Sequence, residues 1–130
     1  MLKTNATRIE IPKQVIGEVD AFSAQQLDCL PFGAIQLDRA GTILQFNEYE
    51  ANLSNRRAPD TVGRNFFTEV APCTNVREFQ GRFAEGIEKG ELHVSFDYVF
   101  AFKPLSRDVR VTLFYSAPTD TVWVFVEEKK

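Results

Sequence analysis

The chain has 130 residues, with 15 Lys and Arg against 18 Asp and Glu and a formal charge of −3. Its 44% hydrophobic content and twelve phenylalanines suffice for one domain with a substantial core. No apolar run approaches the roughly 18 residues a membrane span needs, and no basic cluster supplies the concentrated charge that phosphate backbones require. Membrane and nucleic acid are therefore not expected partners. The opening residues, MLKTNATRIEIPKQVIG, lack the apolar stretch of about 7–15 residues that marks a secretory signal, so a cytoplasmic setting is expected. The two cysteines, Cys29 and Cys73, lack metal-ligand spacing and are read as separate thiols.

Residues 1–28 are polar, with sparse apolar positions at Ile9, Ile11, Val15, Ile16, Val19 and Phe22. They predict a weakly held N-terminal cap with short helical pieces around 14–20 and 23–28; residues 29–130 are read as the core. Residues 32–38 (FGAIQLD) and 42–47 (TILQFN) alternate around an Asp/Gly turn, which predicts a β-hairpin. Residues 48–63 carry Asn, Ser, Pro59-Asp60 and Gly63 between isolated apolar positions and suit short helices and tight turns. Phe79, Phe83 and Ile87 recur at helical spacing before Gly90, predicting an amphipathic helix over 76–89. Phe96, Tyr98, Phe100 and Phe102 alternate along one strand, Val109, Val111, Leu113 and Tyr115 along the next, and residues 121–126 form a Val/Trp/Phe run. Turns at 103–108 and 118–120 make these strands consecutive antiparallel neighbours. The order predicts an α+β domain of the PAS type, a five-stranded antiparallel sheet with helices on one face and an N-terminal cap.

Residues 63–74 (GRNFFTEVAPCT) are the most informative segment. Cys73 follows Ala-Pro and precedes an expected helix start at 74–75, where helix N–H groups favour a thiolate; a buried small hydrophobe is the plainer reading. Taken alone, Glu50 reads as a carboxylate on a solvated helix face, Arg56 and Arg57 as exposed turn charges, and His93 as a polar residue beside a strand.

FGAIQLD at 32–38, NFFTEVAPCT at 65–74, Glu78-Phe79, Gly81, Phe83, Glu85-Gly86 and WVFV at 123–126 resemble the photoactive yellow protein family of blue-light receptors. The correspondence runs from about Gln26 to Val126, without a gap as far as Pro104. The resemblance implies a photoreceptor, not an enzyme, carrying p-coumaric acid (4-hydroxycinnamic acid) as a thioester on Cys73. A thiolate is the nucleophile such an acyl transfer needs. The resemblance also implies that Glu50 lies inside the pocket, protonated and donating to the chromophore phenolate, an arrangement that burial favours by raising a carboxyl pKa. It sets Arg56 over the ring and Ser54 at a threonine of the hydrogen-bond network, and leaves Arg57 an exposed charge. Ile35, Phe66, Val70, Ala71, Thr74, Phe100 and Phe102 would line the pocket. Light would isomerise the chromophore, Glu50 would yield its proton, and the cap would be released toward a downstream signalling protein; a monomer is expected.

Three further positions depart from the family. Phe46 stands where a tyrosine donates to the phenolate, and Phe cannot donate, a loss of about 1.5–3 kcal/mol for a bond to a charged group. Phe102 stands at a usual tyrosine, and Pro104 replaces a methionine associated with thermal recovery. Tyr49, three residues beyond Phe46, is not expected to face the same pocket. Phe46 and Pro104 favour a second reading, a PAS sensory or interaction module without a covalent chromophore. A thiol enzyme using Cys73 is the third, weakened because the sole histidine, His93, lies beside a strand and no other base is evident. Cys29 falls at the boundary of cap and core, where packing or exposure is expected.

Overall fold

The computed structural model describes residues 13–101 and 106–129. Five strands, β1 (Gly33–Leu37), β2 (Ile43–Phe46), β3 (His93–Ala101), β4 (Ser106–Ser116) and β5 (Thr121–Glu128), form one sheet in the order β2-β1-β5-β4-β3. Every neighbouring pair is antiparallel, as the PAS reading expects. The Val/Trp/Phe strand β5 is central, and residues 121–127 are all buried. A strand covered on both faces has no reason to alternate.

The two faces carry separate cores. Gly33, Ile35 and Leu37 pair with Val126, Val124 and Val122. Those strand residues, apart from Gly33, join Phe66, Phe79, Phe83, Phe100, Val111 and Leu113 in the larger core. Over it lie α3 (Glu48–Ser54), α4 (Ala58–Thr61) and α5 (Arg82–Lys89). The alternate residues Ala34 and Gln36 pair with Phe125 and Trp123, and on that side α1 (Lys13–Glu18), a 3-10 turn (Val19–Ala21) and α2 (Ala24–Asp28) bring in Val19 and Leu27. These short helices answer to the pieces read at 14–20 and 23–28. Helix α2 opens with a reciprocal capping box between Ser23 and Gln26.

The described part of the cap is held more specifically than its sparse apolar pattern suggests. Asp20 accepts hydrogen bonds from Trp123 Nε1 at 2.8 Å, Thr119 Oγ1 at 3.3 Å and Ser116 Oγ. One carboxylate thus ties the cap to the β4–β5 hairpin, and Val19 and Leu27 are almost fully buried.

Two predicted boundaries change. Residues 106–108 are strand and not turn, because Asp108, Arg107 and Ser106 continue the ladder opposite Val99, Phe100 and Ala101. Polar residues on a solvent-facing ladder look like turn residues in a sequence. The helix predicted over 76–89 is α-helical only from Arg82, after a π turn (Arg77–Gly81) with extended Val76 before it. It stops at Gly90 (φ 69°), whose N–H reaches the Gly86 and Ile87 carbonyls, the left-handed cap that glycine tolerates best.

Candidate functional site

The site begins with Asn47, where β2 gives way to α3. Its Oδ1 accepts from Ala34 N (2.9 Å) and Glu50 N (3.1 Å), and its Nδ2 donates to Leu27 O (2.8 Å) and Phe32 O (3.0 Å). A single buried amide therefore satisfies the first turn of α3 and nails it to β1 and α2. Sequence reasoning passed over this residue, although an Asn directly before a helical stretch is a readable capping signal.

Fixed in that turn, Glu50 points inward and is 2% exposed. Among the described residues its Oε1 has no hydrogen-bond partner. Burial first, and then the negative charge of Glu128, push its carboxyl up to about 8, so it is a neutral acid at physiological pH. The solvated-face reading of Glu50 is thereby overturned: the start of α3 aims this side chain at the sheet. Gly33 makes the room, since a Cβ there would lie 2.1 Å from Glu50 Oε1.

Most of the expected lining falls in the larger core. Ile35, Phe46, Phe66, Val70, Ala71 and Phe100 belong to one buried cluster, with Cys73 packed at its edge. Thr74 is fully buried and donates to the Ala71 carbonyl at 2.6 Å. Phe102 and Pro104 lie outside the described residues. Ser54 is buried, but its Oγ donates to the Glu50 backbone carbonyl at 2.8 Å, one helical turn back, and not to a carboxyl oxygen. Arg56 is exposed and donates from Nη2 to Val70 O at 2.7 Å, linking the end of α3 to the π turn Phe66–Val70. Arg57 is exposed. Tyr49 turns away: its Oη donates to Glu128 Oε1 at 2.7 Å.

Cys73 is half-buried within a 3-10 turn (Pro72–Thr74). The expected helix start at 74–75 is corrected, because extended Val76 separates this turn from the helical stretch that follows. The Thr74 and Asn75 amides donate to Ala71 O and Pro72 O, so the helix-terminus argument for a thiolate loses its donors. The neighbours grip the carbonyl instead. Tyr98, on the inner face of β3, donates from Oη to Cys73 O at 2.5 Å, while its ring packs edge-on against Phe79 and Phe100. Burial raises the Tyr98 phenol, and negative charge at Cys73 and Glu78 adds to that. Tyr98 is a second residue that sequence reasoning missed; its place in the aromatic alternation of β3 was the available signal.

Cys29 sits exposed at the C-cap of α2. His93 is exposed and stacks edge-on with Phe114. Among the described residues no cluster of three metal-ligating side chains occurs, and no helix is long and apolar enough to cross a membrane.

An antiparallel sheet in this strand order, with short helices over one face covering a buried acid and a cysteine at the edge of the core, defines a PAS domain. The PAS fold family matches residues 21–128. The photoactive yellow protein of Rhodothalassium salexigens is 45% identical over 102 residues, which are 78% of this chain and 82% of that protein. That of Halochromatium salexigens is 44% identical over 105 residues, 81% of this chain and 84% of the other. The photoactive yellow protein domain of the sensor histidine kinase Ppr from Rhodospirillum centenum superposes with a TM-score of 0.83 at 42% identity, covering 87% of this chain and 99% of that domain. The chain belongs to the photoactive yellow protein family.

Proposed function

We propose that this protein is a blue-light photoreceptor, not an enzyme, carrying p-coumaric acid as a thioester on Cys73. The observation that carries the reading is Glu50, a neutral, fully buried acid with an unpartnered oxygen. A buried acid without an acceptor costs about 1–3 kcal/mol, and a phenolate oxygen in the pocket is the partner that would relieve it. The residues present suit such a group: apolar side chains at Ile35, Phe66, Val70 and Phe100, a thiol at the edge of the same core, and a glycine at position 33 that lets the Glu50 carboxyl lie against the sheet.

Attachment requires the Cys73 thiolate to attack the carbonyl of an activated coumaroyl ester or thioester, forming the new C–S bond as the leaving group departs with the electron pair. When bound, the chromophore supplies blue-light absorption and trans-to-cis isomerisation. Glu50 holds the proton in the dark and gives it up after light, which leaves a carboxylate in a site shielded from water. An uncompensated buried charge costs several kcal/mol, comparable with the stability of a whole domain, so the surroundings rearrange. Arg56 screens the pocket mouth through its bond to Val70. The cap, residues 1–28, is the segment to be released from the core, residues 29–130, toward a downstream signalling protein in the cytoplasm. Phe46 keeps a second reading in view, a PAS sensory module that binds without a covalent bond, because the pocket has lost one donor.

The test is reconstitution with activated p-coumarate. A stable visible band, a mass gain of one acyl group and its location on the peptide containing Cys73 are expected. An adduct mainly on Cys29, or a colourless product, refutes the assignment.

A further inference from the structure

Glu128 closes β5 on the same side as Val126, and Val126 is the register partner of Gly33, against which the Glu50 carboxyl lies. Two residues along a strand and one strand across place the Glu128 backbone about 8 Å from that of Gly33, on the face of the sheet that the buried acid occupies. An exposed glutamate at a strand end is ordinarily free to swing into solvent. This one is tethered: Tyr49, the residue before Glu50 on α3, donates from Oη to Glu128 Oε1 at 2.7 Å. The tether is durable, because burial and the bond itself push the Tyr49 phenol up to about 12.

Other carboxylates lie near, Asp28 at the start of α3 and Glu127 acting on Tyr49, but Glu128 is the one whose charge acts on Glu50. Glu48 is exposed, with its amide taken by Asp28. Glu127 alternates to the opposite face of β5, and the Arg56 guanidinium is engaged by Val70 O. Gly33, Val126 and Phe46 bring no charge.

We propose that Tyr49 and Glu128 form an electrostatic set-point for the light-driven proton transfer: Tyr49 holds the Glu128 carboxylate beside Glu50, which keeps Glu50 protonated in the dark and hastens the proton's return after light. Glu128 is a positioning residue acting through Glu50. The inference rests on Glu50 being the light-driven proton donor.

The experiment has two arms. In the free protein, the side-chain carboxyl of Glu50 is titrated by carbon NMR in the parent, Glu128→Gln, Glu128→Lys and Tyr49→Phe. Removing a unit charge at this separation lowers the Glu50 proton affinity about three- to tenfold. Glu128→Lys lowers it further, and Tyr49→Phe lowers it less. After reconstitution with p-coumarate, the light state of Glu128→Gln persists longer, by up to the same factor. A Glu50 midpoint unchanged in both Glu128 variants, in a protein that photocycles, overturns the set-point alone. A protein that takes up no chromophore overturns the photoreceptor reading and the set-point with it.

Discussion

Gly33 and Glu50 share one volume: a methyl group at position 33 would meet Glu50 Oε1 at 2.1 Å and Cδ at 3.2 Å. The glycine is needed for space and not for backbone conformation. Gly33→Ala therefore forces the carboxyl off the sheet, at the 1–3 kcal/mol that overpacking typically costs, about 2 kcal/mol here. Combined with Glu50→Ala, which vacates the clash, the penalty at position 33 is expected to shrink markedly, a coupling that a double-mutant cycle by urea unfolding measures. Additive penalties would show that the carboxyl sits elsewhere.

The buried acid also makes stability depend on pH. The Glu50 carboxyl rises from 4.5 to about 8 on folding, so between those values the folded protein binds the extra proton. Its contribution is fully present below about pH 4.5 and is lost as pH rises to about 8, at roughly 1.4 kcal/mol per pH unit. Glu50→Gln removes that slope. Urea unfolding of parent and variant across this range, without chromophore, is expected to show their difference changing steadily and then levelling above pH 8.

The sheet was legible because period-2 alternation survives in β3, while the continuous apolar run of β5 signals a strand buried on both faces. The burial of Glu50 was legible only through resemblance, since one carboxylate has no period. What stayed hidden were single bonds between remote residues: Tyr98 to Cys73 across 25 positions and Trp123 to Asp20 across 103. Such contacts depend on the finished fold, and neither propensity nor spacing encodes them.

Asp20 offers a direct check on how the cap is held. Asp20→Ala leaves the Trp123 N–H, on a side chain 1% exposed, without its acceptor and removes the acceptor for two hydroxyls. A loss of roughly 1–2 kcal/mol is expected, with faster amide exchange in residues 13–28 than in β3 and β4. The chain has one tryptophan, so a red shift in its fluorescence reports solvent reaching Trp123 itself. Uniform acceleration of exchange across the sheet would mean that the cap and core do not open separately.

Phe46 decides how firmly the pocket can hold an anion. The Ser54 hydroxyl donates to the Glu50 carbonyl and the Tyr49 hydroxyl to Glu128, so neither replaces the donor that a tyrosine at 46 would bring. A phenolate that has lost one charged hydrogen bond is destabilised by about 1.5–3 kcal/mol, equivalent to about one to two pH units in its apparent pKa. The reconstituted parent is therefore expected to convert between a visible phenolate band and a near-ultraviolet phenol band within the neutral range. Phe46→Tyr, at a position only 6% exposed, moves that midpoint downward by about one to two units and leaves a single visible band at neutral pH. Spectrophotometric titration of both proteins measures the shift, and the volume of one oxygen is small enough that urea unfolding separates a packing defect from a changed donor count. A parent titration that Phe46→Tyr leaves unmoved would mean that another donor already fills the place of the missing tyrosine.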